Sequence, residues 1–170
     1  MFDDSFDDDD ATTLKGNLLT LGPTKTPCYY TPPPTSTSRC GIIVYTDVWG
    51  FQSRILRICD FLAQHGNFHV ISPDCFRGET YADHNTQHER YEWLSQTPYE
   101  PCVAQDTQAC LEYLKSKGVN NIDGSGNFLG TIGFCWGAWA IGKSSRAGVM
   151  PWKAAVVLHP SFKVERAVFH

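Results

Sequence analysis

The sequence predicts an α/β protein with a doubly wound, mostly parallel sheet, and three observations carry that expectation. Short apolar, β-branched runs of strand length alternate with segments of helical hydrophobic spacing. That order is expected of a parallel sheet covered by helices on both faces. The 170 residues are 42% hydrophobic and 19% charged, a globular composition of the size of one ordinary domain. Finally, the segment Gly133-Phe134-Cys135-Trp136-Gly137 has the pattern Gly-x-Cys-x-Gly and falls between a predicted strand and a predicted helix.

The elements follow in order. Residues 1–13 are acidic and lack a hydrophobic pattern, so they are expected to form a disordered, solvated tail ahead of a domain spanning 14–170. One or two short strands are expected between Leu14 and Tyr30. Pro32, Pro33 and Pro34, followed by Thr35 to Ser38, make a stiff polar turn. Gly41 to Tyr45 reads as a buried strand. Leu56, Cys59, Leu62 and Ala63 follow helical spacing, with Ile55 and Ile58 beside them and Gly66 placed to end the helix. Phe68 to Ser72 reads as a second buried strand, stopped by Pro73. The long polar stretch from Asp74 to about Tyr99 has room for a short helix near Glu89 to Leu94. Val103, Thr107, Cys110, Leu111 and Leu114 share a helical face, with Gly118 as terminator. Phe128 to Gly133 is a third strand, Trp136 to Lys143 a helix, and Ala154 to Leu158 a fourth strand.

Charge and cysteine usage exclude several classes. The formal net charge of −4 owes much to Asp3, Asp4 and Asp7 to Asp10; the rest of the chain is close to neutral. It has no basic stripe of the kind that holds nucleic-acid phosphates. No apolar run approaches the roughly 18 residues of a membrane span, and the start has neither a secretory nor a transit pattern. The seven cysteines are scattered without a Cys-x-x-Cys pair. Free thiols in a reducing, cytoplasmic setting are expected.

The Gly-x-Cys-x-Gly segment carries the chemistry. Its serine form is the turn that presents the nucleophile in α/β-hydrolases. The nucleophile sits in a strained conformation at the tip of a strand-to-helix turn, and the chain doubles back so tightly that the residues two before and two after must be small. The following helix aims its N-terminus at the sulfur, which is expected to favour the thiolate. The Trp136 N–H is placed to hold an oxyanion. The plainer alternative is that Cys135 is a small core residue and the glycines only allow close packing.

Further segments, in the expected order, resemble the dienelactone hydrolases, which are cysteine members of the α/β-hydrolase fold, and their eukaryotic branch in particular. These are Thr46-Asp47-Val48-Trp49-Gly50, the loop from Ser72 to Glu79, Gly133 to Ala138, and Leu158-His159-Pro160-Ser161-Phe162. The resemblance runs from about residue 28 to the end. It implies Cys135 as nucleophile and the Val48 and Trp136 N–H groups as oxyanion hole. It also implies that Asp47 stands where many members contact the resting thiol through Glu, and that Arg77 stands where a family arginine binds a substrate carboxylate. The dull alternative for Arg77 is a loop arginine that caps a carbonyl or pairs with Glu79. The implied substrate is a small ester or lactone, with an acyl-thioester intermediate and no cofactor.

Such a site also needs a histidine and an acid after the nucleophile. Downstream of Cys135 the only histidines are His159 and His170 and the only acid is Glu165. His159 reads as a structural or rim residue and His170 as a mobile terminal one. The expectation is therefore the N-terminal portion of an α/β-hydrolase fold, inactive by itself. A non-catalytic binding module or a redox-sensing thiol protein on the same fold is the alternative; the oligomeric state is open. His84 and His88, four apart, would share a face on a helix, but no third metal ligand is evident and a solvated surface is the better reading. The acidic residues of the loop offer carboxylate pairs, as any acidic loop does, so glycosidase chemistry is not indicated. Trp136 and Trp139 read as core or pocket wall. Gly124-Ser125-Gly126 precedes a strand instead of following one, so dinucleotide binding is not supported.

Overall fold

The central strands come from the most apolar runs. In β3 (Cys40–Tyr45), β4 (His69–Pro73) and β5 (Phe128–Phe134), Ile43, Val44, Val70 and Ile71 are fully buried. Burying such a side chain is worth about 1.5–3 kcal/mol, against about 1 kcal/mol net for a hydrogen bond, so the apolar runs decide where the sheet's centre lies. The computed structural model describes residues 13–119, 128–146 and 152–161. Expectations for the acidic start, for Gly124 to Gly126, and for Glu165 and His170 lie outside or almost wholly outside these residues.

Two further strands, β1 (Asn17–Leu21) and β2 (Thr26–Thr31), precede the centre and β6 (Ala154–Leu158) follows it. The sheet order is β1-β2-β4-β3-β5-β6. The four strands β4, β3, β5 and β6 run parallel, with Ile42 opposite Val70, Tyr45 opposite Gly133 and Phe134 opposite Leu158. β1 and β2 form an antiparallel hairpin, and β2 meets β4 antiparallel. This is the mostly parallel α/β sheet that the sequence predicts.

Both faces are covered. Ile42, Val44 and Val70 pack with α1 (Ser53–Gly66) through Ile55, Leu56, Cys59 and Ala63. Ile43, Tyr45 and Ile71 face the other way, into a core shared with α2 (Gln87–Ser95), α3 (Ala104–Ser116) and α4 (Trp136–Arg146). Alternate residues of one strand thus serve opposite layers, which is why β3 is apolar throughout.

α1 ends at Gly66, as expected. Gly66 is its last residue, and the left-handed cap that follows is Asn67, at φ 56°. Asparagine tolerates that conformation and adds a second function, since its Oδ1 accepts from the Thr35 N–H and hydroxyl. The cap therefore anchors the polar turn after the three prolines. Gly118, at φ 88°, ends the α3 region as expected. α2 starts on a capping box, Thr86 to Glu89, which puts His84 ahead of the helix. His84 and His88 accordingly do not share a helical face. The His84 ring lies tilted against Trp93, and no metal-holding cluster of His, Cys, Asp and Glu occurs among the described residues.

Two buried carboxylates fasten the hairpin. Asp60 of α1 accepts from the Tyr29 hydroxyl (2.8 Å), the Thr31 hydroxyl (2.7 Å) and the Lys15 N–H (2.9 Å). Asp106 of α3, fully buried, accepts from Thr26 and from Arg77. Each carboxylate has the donors a buried charge requires. No described helix is long and apolar enough to cross a membrane.

Candidate active site

The turn from β5 into α4 is made possible by two glycines. A Cβ on Gly133 would lie 2.5 Å from the Gly137 carbonyl group, and a Cβ on Gly137 would lie 2.5 Å from the Tyr45 oxygen. Both clashes are with backbone, which cannot swing aside. Between these glycines Cys135 sits at φ 51°, a left-handed conformation a non-glycine residue adopts at a cost. Its N–H donates to the Leu158 carbonyl (3.0 Å), and its carbonyl accepts from the Ser161 N–H (3.2 Å). The strained tip is thus held from the end of β6, beyond the strand that carries it.

Cys135 opens on a cavity of about 340 Å³. Trp49, Tyr81, Tyr91 and Trp136 give it aromatic walls, with Val48 and Leu94 between them. Gln87 and Ser161 supply its neutral polar groups. Trp49 and Tyr81 meet edge to face at 5.5 Å. The Tyr81 N–H donates to the Val48 carbonyl (2.9 Å), which fixes the loop carrying Val48. Trp136 is buried, its ring packed on Phe76 and Trp139.

The thiol's surroundings set its electrostatics against the lowered value expected from the sequence. Burial pushes Cys135 above the usual thiol value, and the Asp47 carboxylate adds to the rise. The Trp136 N–H and the Ser161 side chain pull the other way without prevailing. Desolvation and one acidic neighbour therefore outweigh the two hydrogen bonds that favour the thiolate.

The remaining predicted residues separate. Asp47, buried, accepts hydrogen bonds from the Trp49 N–H (2.9 Å) and from Arg54 (2.9 Å), and it acts on the thiol through its charge. Arg77 lies outside the cavity lining. Its guanidinium is committed to both carboxylate oxygens of Asp106 (2.9 and 2.7 Å) and to the Asp74 carbonyl (2.7 Å). Its acidic partner is thus Asp106 and not Glu79. His159 is exposed, at φ 38°, with its ring 6.4 Å from Phe134, and does not line the cavity. The sequence pattern assigns no role to Ser161, Tyr81, Gln87 or Tyr91. The segment holding Ser161 belongs to the family resemblance, which is the one available signal for it.

Comparisons with known proteins bear on the fold and the family. The profile of the dienelactone hydrolase family matches residues 28–168. A carboxymethylenebutenolidase homolog of Xenopus tropicalis is 36% identical over 112 residues, covering 64% of this chain and 42% of that protein. A Klebsiella pneumoniae protein classed as a dienelactone hydrolase has a similar structure, with TM-score 0.67 and 22% identity over 85% of this chain and 59% of the other. A dienelactone hydrolase-like promiscuous phosphotriesterase from metagenomic libraries gives TM-score 0.60 and 20% identity, over 85% of this chain and 59% of the other. These structures share the α/β-hydrolase fold, and the chain spans about two fifths to three fifths of the length of these relatives. With Cys135 at the tip of a glycine-flanked strand-to-helix turn and a family match over most of the chain, the protein belongs to the dienelactone hydrolase family.

Proposed function

We propose that this chain carries the nucleophile half of a hydrolase that acts on small esters or lactones, with Cys135 as the acyl acceptor. The observation that carries the reading is Cys135 itself, held at φ 51° at the mouth of an aromatic cavity with the α4 N-terminus behind it. In the reaction the sulfur, once deprotonated, attacks the ester carbonyl carbon. The Val48 and Trp136 N–H groups receive the negative charge that builds on the carbonyl oxygen. The tetrahedral intermediate collapses with cleavage of the acyl C–O bond. The leaving alkoxide takes a proton and the acyl group stays on sulfur. Water then releases the acid and restores the thiol.

The raised thiol makes a base essential, since little thiolate exists near neutral pH. Among the described residues no histidine lines the cavity. We therefore infer that the 170-residue chain acylates slowly and deacylates more slowly still. A non-catalytic binding module on the same fold is the second reading, since the aromatic cavity stands without a histidine among its described lining residues. The raised thiol disfavours a redox sensor, which needs an accessible thiolate.

The test is acyl transfer from an activated aryl acetate, followed by intact mass and peptide mapping. One acetyl group on Cys135, absent from Cys135→Ala, supports the nucleophile. Acetylation spread over surface amines with none on Cys135 would leave the binding module.

A further inference from the structure

We infer that Arg90 is a positioning residue of the reaction: by way of Tyr81 it fixes the loop whose Val48 N–H receives the oxyanion. This deepens the proposed function and rests on the reading of Cys135 as the acyl acceptor.

The geometry starts from two short-range caps. Thr80 and Asp83 close a single 3₁₀ turn, Tyr81–Asp83, and the second capping box, Thr86 to Glu89, starts α2. The chain between them folds back, so that Arg90, nine residues after Tyr81, returns to it. The Arg90 guanidinium lies over the Tyr81 ring, 4.2 Å from its centre. Its Nε donates to the His84 carbonyl (3.0 Å), and its Nη1 lies 3.5 Å from the Tyr81 hydroxyl. A planar guanidinium offers a face to the ring and in-plane donors to the oxygens at once.

Tyr81 carries this constraint to the site twice over. Its N–H donates to the Val48 carbonyl (2.9 Å), and its ring meets Trp49 edge to face at 5.5 Å. The Asp47 carboxylate accepts from the Trp49 N–H (2.9 Å), and the Asp47 carbonyl accepts from the Gly50 N–H (3.2 Å). The Asp47 bonds close the loop on itself, whereas the Tyr81 contacts join it to α2 by way of Arg90.

α2 is itself a wall of the cavity. Gln87, Tyr91 and Leu94 recur at helical spacing and line it opposite the Val48 loop. Arg90 thus couples the α2 wall to the oxyanion donor. The coupling matters because a displacement of about 1 Å at a reacting centre costs up to about a hundredfold in rate.

The test uses two reactions of one thiol. Acetylation builds an oxyanion, and alkylation by iodoacetamide does not. Single-turnover acetylation of Cys135 by para-nitrophenyl acetate is compared with its alkylation in wild type, Arg90→Met and Arg90→Lys. Methionine keeps an apolar stem against Tyr81 and removes the charge and the donors. In Arg90→Met the saturating acetylation rate is expected to fall about tenfold or more, with the half-saturating ester concentration and the alkylation rate each within about twofold of wild type. Arg90→Lys, which restores a cation over the ring, should recover at least about threefold. Acetylation of Arg90→Met within about twofold of wild type, or an equal loss of acetylation and alkylation, would overturn the inference. Amide NMR separates this from failure of the nucleophile reading. If wild-type Cys135 takes no acetyl group, that reading falls by itself. A Val48 amide signal that moves in Arg90→Met and returns in Arg90→Lys then supports the positioning role, and an unmoved signal overturns it.

Discussion

The same substitution, glycine to alanine, should have opposite effects at two positions of α4. At Gly137 the new methyl would lie 2.5 Å from the Tyr45 oxygen, 2.8 Å from the Tyr45 Cβ and 2.9 Å from the Thr46 oxygen. Ordinary contact begins at 3.4 Å, so the helix must move away from β3 by about 0.9 Å. A gap of that size forfeits a quarter to a half of each dispersion contact it opens. The neighbours displaced include Tyr45, which is fully buried, and Trp136. Overpacking of this kind costs about 1–3 kcal/mol and sometimes more, and the rigidity of the backbone places Gly137→Ala near 3 kcal/mol. At Gly142, five residues on, nothing lies within 4 Å of the point an added methyl would occupy. There alanine should stabilise by about 0.5–1 kcal/mol through helix propensity and reduced freedom of the unfolded chain. Urea unfolding monitored by tryptophan fluorescence checks both. With an m-value of about 2 kcal/mol/M, Gly137→Ala lowers the midpoint by roughly 1.5 M, and Gly142→Ala raises it by roughly 0.3–0.5 M. A midpoint for Gly137→Ala within about 0.3 M of wild type would refute the steric account of the turn.

Three further outcomes are expected. Asp106→Asn should destabilise by about 2–3 kcal/mol in the same assay, because it strips the charge that Arg77 and Thr26 address; the partial exposure of Arg77 keeps the loss below that of a fully buried pair. Alkaline titration should show stability intact up to about pH 8.5 and falling above it. The sign follows from Cys59, Cys75 and Cys110, whose folded values are raised by burial and, for Cys110, first by its hydrogen bond with Cys28; the unfolded chain then releases protons that the folded one holds. A flat profile to about pH 10 would contradict this. Alkylation of Cys135 by iodoacetamide, followed by peptide mass, should reach half-maximal rate above the usual thiol value, and Asp47→Asn should move that midpoint downward. An unchanged midpoint would remove Asp47 from the electrostatics of the thiol.

What the sequence disclosed and what it concealed divide along physical lines. β3, β4, β5 and β6 were legible because buried parallel strands are continuous apolar runs, and α1 and α3 because their apolar residues recur at helical spacing. The Cys135 turn was legible because its steric demand is local. Gly66 marked the end of α1, but the left-handed cap beside it, Asn67, and its bond to Thr35 could not be read from the local pattern. The Arg77–Asp106 pair spans 29 residues, and no local pattern links its members. The cavity walls were hidden for the same reason: Tyr81, Tyr91 and Ser161 meet only through the tertiary fold. The direction of the thiol's shift was missed because a helix end can be read from sequence, while burial and the position of Asp47 cannot.

The two hydrogen bonds joining Cys135 to Leu158 and Ser161 have a mechanical consequence. β6 is the last strand in the sheet order, and its Val156, Val157 and Leu158 are exposed. Cys135 is therefore held from the edge strand of the described sheet. A strand laid alongside that border would act on the same two hydrogen bonds that hold the tip residue. The backbone geometry of Cys135 is thus tied to the border of the sheet and not only to the strand that carries it.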